Sequence, residues 1–463
     1  MASTSPERES FRPGPGRELL WGWGRTNPTA AEVIRAGGPD ELVDALVTAP
    51  ERGVIARGLG RSYGDPAQNA GGRVLLTTDA GQFRLDPAAG TVTASAGASL
   101  DDLMRALVPR GWFVPVTPGT RYVTVGGAIA SDIHGKNHHR KGTFTANVAS
   151  LRLALPSGDV VEVGPDRDPD LFWATAGGMG LTGVILDATF RCTPIETSRL
   201  LVDTERAANL DEAVQMMIDR DEDYDYTVAW IDLMSRGSAM GRSVLTRGRF
   251  ATLDELDAPM RRDPLAYRAG VLAAAPPGIP GGLLNKLTVK AFNELWFRKA
   301  PTQRFGELQT IPQFFHPLDM VDDWNRIYGP AGFVQWQYVI PFEATDTLRR
   351  TVDELSSAGC TSFLAVLKRF GPANPAPLSF PAEGWTLALD IPAGATGLAE
   401  LLDRLDVQVA DAGGRIYLAK DSRLAADLLP VMYPRLPEWL EVRERVDPHR
   451  RLRSDLGRRL GLC

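Results

Sequence analysis

Glycine-rich bends recur three times between residues 57 and 183, each beside a short run that reads as a regular element. The first is Arg57-Gly58-Leu59-Gly60-Arg61-Ser62-Tyr63-Gly64-Asp65, fed by the apolar run Val54-Ile55-Ala56. The second is the pair Gly126-Gly127, and the third spans Gly177–Gly183. Glycine lets a backbone come close to a bulky ligand and leaves its N–H groups free to face phosphate. One such loop is common and weak as a signal. Three in one domain suit a long, diphosphate-linked cofactor.

The runs around these bends mix both periodicities. Residues 29–50 read as helical, first over Ala30–Ile34 and then over Glu41–Leu46. Val54–Ala56 and Thr91–Gly97 read as strands. Asp101–Val108 reads as a helix, with Asp101 and Asp102 favourable in its first turn. Val148–Leu155 and Val160–Val163 read as a strand pair closed by the turn Pro156-Ser157-Gly158-Asp159. A helix over Pro169–Ala176 and a strand over Gly183–Arg191 follow. The pattern predicts an α+β domain over residues 19–197, behind a flexible lead of residues 1–18. Further on, Val334–Val339 and Trp385–Ile391 read as strands. The Pro/Gly-rich run Ala273–Gly282 reads as irregular, either a surface loop or a mobile lid.

A chain of 463 residues is too long for one ordinary core, so two domains are expected. A net charge of −6 argues against a nucleic-acid surface. Three cysteines without a CxxC suggest neither a zinc ribbon nor a disulfide scaffold. Residues 1–17 hold no apolar stretch, so no ordinary secretory signal is expected. No uninterrupted apolar run reaches roughly 18 residues, so no transmembrane helix is expected either. The Arg-rich stretch from His449 to Arg459 carries Leu452, Leu456 and Leu460 at four-residue spacing. It predicts a terminal amphipathic helix whose basic face is solvated or meets an anionic membrane.

Gly178-Met179-Gly180-Leu181-Thr182-Gly183 matches GxGxxG by letter, but a helix-like run precedes it and a β-like run follows. That order is the reverse of a nicotinamide dinucleotide site. No Gly-Lys-Ser/Thr follows the first bend, which excludes a P-loop. Three of the five histidines (His134, His138, His139) lie just beyond Gly126-Gly127. His134 and His138 are four apart, yet Gly135 and Asn137 are poor helix formers and no second ligand cluster exists, so no metal is expected. His134 is the best placed to touch a cofactor. Taken singly, Lys136, Lys368 and Lys420 read as surface lysines, though the apolar run Phe363–Leu367 would deliver Lys368 into a cleft.

In order and spacing, Arg57–Asp65, Val125–Gly127 and Gly177–Val184 resemble the FAD domain of vanillyl-alcohol oxidase-type flavoproteins. Gly22–Thr26, Ala56–Asp65, Asp132–His139, Pro317–Asp319, Ala419–Arg423 and Ser454–Leu460 further resemble the decaprenylphosphoryl-β-D-ribose 2′-oxidases of mycobacteria and related actinobacteria. The resemblance runs over about residues 20–462. It implies a two-domain α+β flavoprotein: the FAD-binding domain, a substrate domain with an antiparallel sheet (198–414), and a C-terminal return to the first (415–463). It implies oxidation of the ribose C2′ hydroxyl of a polyprenyl-phosphate sugar, the first half of an epimerisation that serves cell-wall arabinan. A partner NAD(P)-dependent reductase would complete the epimerisation. The protein would sit in the cytoplasm or at the membrane periphery, on either side.

Carried over residue by residue, the FAD contacts fall on Ala56, Arg57, Gly58, Leu59, Gly60, Arg61, Ser62, Tyr63, Gly64, Asp65 and Pro66, and on Gly119. They continue through Thr124, Val125, Gly126, Gly127, Ser131, Asp132, Ile133 and His134 to Ile185 and Tyr417. Arg61 stands where many relatives carry a flavin-linked histidine, so the resemblance implies non-covalent FAD. Lys420 and His134 would be catalytic. Lys136, Gln335, Gln337 and Lys368 would line the sugar-phosphate pocket, with Trp230 and Phe370 as apolar walls. Ala388, Phe315, Val228 and Thr386 stand where mycobacterial members have cysteine, tyrosine, serine and asparagine. Two other readings stay open: an aldonolactone or alditol oxidase acting on a soluble sugar, and a flavin-binding assembly protein of weak activity.

Overall fold

The computed structural model describes residues 16–78 and 81–463. Most of the expected flexible lead therefore lies outside the described residues, and Arg17–Leu20 is already an edge strand. That strand opens a four-stranded sheet in the order Arg17–Leu20, Thr29–Arg35, Arg73–Leu76, Val54–Arg57. Here the expectation of a helix over Ala30–Ile34 is overturned. Thr29–Arg35 pairs antiparallel with the edge strand and parallel with Arg73–Leu76, so hydrogen bonds on both sides outweigh a local preference for helix. The expected helix survives only as Pro39–Val47.

A five-stranded antiparallel sheet follows, in the order Phe83–Asp86, Thr91–Ser95, Val184–Arg191, Val148–Ala154, Val160–Val163. The last two close as a hairpin, with Gly158 at φ +99° in the turn, a conformation only glycine takes cheaply. Helices Leu100–Leu107 and Pro169–Thr175 form where expected. Ser99 caps the first by accepting from the Asp102 N–H.

The remainder is built on an eight-stranded antiparallel sheet. Its order is Gln303–Thr310, Arg199–Ala207, Ser243–Phe250, Tyr226–Ile231, Ala365–Phe370, Gly384–Pro392, Phe333–Ile340, Arg415–Ile416. Side chains alternate between its two faces. One face buries Trp336, Tyr338, Leu367, Leu387 and Leu389 in a core shared with helices Leu210–Arg220, Thr345–Ala358 and Leu398–Asp411. The other presents Gln335, Gln337 and Lys368 to a cleft. The Ala273–Gly282 run is not wholly irregular: Ala273–Ala274 pairs in parallel with Val321–Asp322 on the cleft wall.

The basic C-terminal stretch is neither a long helix nor a solvated face. Only Asp455–Arg459 is helical. Leu452, Leu456, Leu460 and Leu462 are buried in the core that also holds Val54 and Ile55, and the Arg453 N–H donates to the Val54 carbonyl. Arg459 forks onto the Asp65 carboxylate at 2.8 and 3.2 Å and reaches Asp421 at 2.8 Å. Carboxylates, one of them 394 residues away, capture charge that was expected to face water.

Candidate active site

A cavity of about 340 Å³ lies between the glycine bends and the polar face of the eight-stranded sheet. Its walls include Ala56–Tyr63, Gly119, Thr124, Gly126, Gly127, Ser131, Ile133, His134, Ile185 and Tyr417 from the expected cofactor set. From the expected substrate set they include Lys136, Phe315, Gln335, Gln337, Lys368 and Ala388, with Lys420 between the two ends.

The bends fit an extended anionic cofactor such as FAD. No hydrogen bond within the described protein uses the N–H groups of Leu59, Gly60, Arg61 or Ser62, so successive donors stand free around Gly60, itself at φ +64°. Arg57 and Arg61 flank them. Burial pulls both guanidinium pKa values down, that of Arg57 to about 10 with Arg61 repelling it. An anion placed between two crowded, desolvated cations relieves this cost. The first and second bends touch: a Cβ on Gly58 would stand 2.3 Å from Thr124 Oγ1. That oxygen accepts from the Gly127 N–H and starts helix Val125–Ala130. A Cβ on Gly126 would stand 2.9 Å from that of Ala96. The third bend joins the same wall through Gly177 N–H to Ile129 O and Met179 N–H to Ala130 O. A helix precedes it and a strand follows, as the order of its flanking runs predicts.

At the other end, Gln335 and Gln337 alternate on one strand, Val366 and Lys368 on a second, and Ala388 lies opposite both Gln337 and Val366. The Gln337 amide donates to His134 Nε2 at 3.0 Å and to Thr386 Oγ1 at 3.2 Å. Burial, then the charges of Lys368, His138 and Lys420, hold His134 well below the usual histidine pKa. A neutral imidazole accepting at Nε2 carries its proton on Nδ1, which has no partner among the described residues. In this arrangement His134 is a hydrogen-bond donor. Phe370, Tyr417 and Phe380 pack around its ring at 4.8, 5.2 and 5.5 Å.

Lys420 Nζ lies 3.8 Å from the Tyr63 ring centroid. Burial lowers its pKa, and the nearby Asp390 opposes that shift. Asp390 is fully buried behind Gln335, whose amide donates to its Oδ1, while Oδ2 has no hydrogen-bond partner among the described residues. Lys136 reaches the Phe314 carbonyl, and burial brings its pKa down to about 7. Burial brings Lys368 to about 8. None of these three lysines forms an ion pair among the described residues.

Several expected residues stand off the cavity wall. Gly64 packs on the Asp421 backbone, Asp65 holds Arg459, and Val125 is in the core. Asp132, at φ 40°, accepts from Asn374 and Ser379, both at 2.6 Å, and so fastens its loop to the substrate side. Trp230 donates to the Phe363 carbonyl, and Phe370 supports His134 from behind. Thr386 likewise sits behind Gln337. The sequence reading missed Arg121, fully buried between Asp101 at 2.7 Å and Asp319 at 3.5 Å, which fixes the wall around Leu318. It also missed Trp23, whose ring Arg61 covers at 4.2 Å. Pro317–Asp319 was a visible motif; its buried arginine partner had no local signature.

Three of the matches to known proteins illustrate their differing reach. Residues 30–164 match the family model described as FAD binding domain. The decaprenylphosphoryl-beta-D-ribose oxidase of Mycolicibacterium smegmatis is 47% identical over 96% of this chain and 97% of its own length. An L-galactono-1,4-lactone dehydrogenase of Oryza sativa is 30% identical, over only 41% of this chain and 32% of its own.

Proposed function

The chain belongs to the FAD-binding oxidase family that includes the decaprenylphosphoryl-β-D-ribose oxidase of Mycolicibacterium smegmatis, and we propose that it oxidises the ribose C2′ hydroxyl of a polyprenyl-phosphoryl ribose. It is an FAD-dependent oxidoreductase acting on a CH–OH group. The lactone oxidase reading is the less favoured, since its relatives match less than half of the chain. When bound, FAD supplies the hydride acceptor. The observation that carries the substrate reading is the convergence of Lys136 and Lys368 with Gln335 and Gln337 at one end of the cleft, next to Lys420. The two desolvated ammonium groups of Lys136 and Lys368 suit a phosphodiester, and two side-chain amides suit sugar hydroxyls.

In this reading Lys420, with its lowered pKa, takes the C2′ hydroxyl proton, while His134 donates from Nδ1 to a sugar or ring oxygen. Lys136 and Lys368 hold the phosphate. A separate NAD(P)-dependent reductase would then turn the 2′-keto product into the arabinose epimer. The test is anaerobic addition of a farnesylphosphoryl ribose to the yellow holoprotein. Bleaching by this compound but not by soluble aldonolactones or alditols supports the reading; bleaching only by the soluble sugars overturns it.

Two further outcomes follow. Arg61 cannot form the histidyl–flavin link, so acid precipitation should leave the yellow colour in the supernatant; a coloured pellet contradicts this. Because burial lowers the pKa of Lys136 and Lys368 to about 7 and about 8, both are charged below those values and neutral above them. KM for the phosphate substrate should therefore rise, by about tenfold, as pH climbs from roughly 6.5 to roughly 9. A flat KM over that range removes the phosphate role from these lysines.

A further inference from the structure

We propose that helix Lys286–Lys299, with the neighbouring Val271–Leu272, is a membrane-contact surface that rests on an anionic lipid bilayer beside the mouth of the cleft. This helix is inverted relative to an ordinary surface helix. Its inward side buries Val289 and the polar Asn293, which donates to Asp232. Its outward side carries Leu287 and Leu295, 78% and 68% exposed, flanked by the stacked pair Phe292 and Trp296. Leu272, 80% exposed, and Leu283 continue the apolar area. No described part of the chain covers it.

Charge argues for lipid over a protein partner. The whole chain carries −6, yet this one helix holds four cations (Lys286, Lys290, Arg298, Lys299) against the single carboxylate Glu294. Lys286, Lys290 and Lys299 form no ion pair among the described residues. Exposed leucine and tryptophan ringed by lysine is the pattern of a helix lying in a bilayer interface, where the long lysine stems reach phosphate headgroups. Protein interfaces are instead depleted in lysine.

The surface is continuous with the cleft. Phe292 meets Phe363 edge-on at 5.6 Å. Phe363, Leu364, Leu318 and Leu284 pack on one aromatic cluster around Trp324, and Leu318, Leu364 and Trp324 also line the cavity. An unbroken apolar path thus runs from the cavity to the exposed helix. The bilayer contact stands on this surface alone. Its use, letting a prenyl tail stay in lipid while the sugar phosphate enters, rests on the oxidase reading above.

The test is cosedimentation of the full-length holoprotein with vesicles of phosphatidylglycerol and phosphatidylcholine in equal parts, at low ionic strength. Binding is expected, with loss on pure phosphatidylcholine and on raising salt. L287S/L295S and K290E/K299E should each weaken it by at least about tenfold. These positions lie outside the cleft, so turnover of a water-soluble short-prenyl substrate should be unchanged in both variants, which also reports that they fold. Wild-type protein that ignores the anionic vesicles, or variants that bind as well as wild type, overturns the proposal. A wild-type dimer that L287S/L295S converts to monomer also overturns it, by making the face a contact between copies. Vesicle binding is read without turnover, so a failure of the oxidase reading leaves this result interpretable.

Discussion

Lys420→Met lowers the rate of flavin reduction by about 10²–10³-fold while the protein stays yellow. Methionine keeps the length and apolar body of the side chain and removes the amine. Lys420 lies over Tyr63 at the junction of the two ends of the cavity, near the buried Asp390 but in no ion pair among the described residues. A desolvated amine in that position has two uses: taking a proton from a substrate hydroxyl, and supplying positive charge where negative charge develops. The substitution removes both. Stopped-flow reduction under anaerobic conditions, alongside the flavin-to-protein absorbance ratio, separates lost chemistry from lost cofactor. A rate within about fivefold of wild type would remove Lys420 from the reaction, since general base catalysis alone is worth about 10²–10⁴-fold.

Gly58→Val is expected to yield a folded but colourless protein with affinity for added FAD weakened by at least about 100-fold. The clash falls on Thr124, the side chain that caps helix Val125–Ala130. Moving it uncaps the Gly127 N–H and separates the first two bends, so the free amides of Leu59–Ser62 lose their alignment with the second loop. Gly119 offers the control: a Cβ there meets nothing within 4 Å, so Gly119→Ala tests cavity space without moving the two bends apart. Flavin titration followed by fluorescence quenching, with circular dichroism to check folding, measures both variants. Wild-type affinity in Gly58→Val would show that the contact between the first and second bends does not shape the cofactor site.

The parts of the site that could be read from sequence are those with local causes. Glycine bends, the histidine run beyond Gly127 and the period-2 face carrying Gln335 and Gln337 all announce themselves within a few residues. The reversed order of elements around Gly178–Gly183 was enough to set aside a nicotinamide site, and the structure has that order. What the sequence hid depends on partners far along the chain. Ala30–Ile34 has the composition of a helix and becomes a strand because Arg73–Leu76 lies beside it. Asp132 looked like a cofactor contact and is held by Asn374 and Ser379. Asp390 gave no signal at all, because its proximity to Gln335 is created by strand register. Arg459 looked like part of a surface because its acceptor Asp65 could not be seen from its own neighbourhood.

Arg459 grips Asp65, which ends the first glycine bend, and Asp421, the neighbour of Lys420, with one guanidinium. Residue 459 follows Asp65 by 394 positions. At ribosomal speeds of about 5–20 residues per second, the bend waits some 20–80 s before this clamp emerges. Cofactor capture and completion of the reactive centre therefore wait until residue 459 has been made, so nascent chains cut short before it should leave the ribosome without lasting colour.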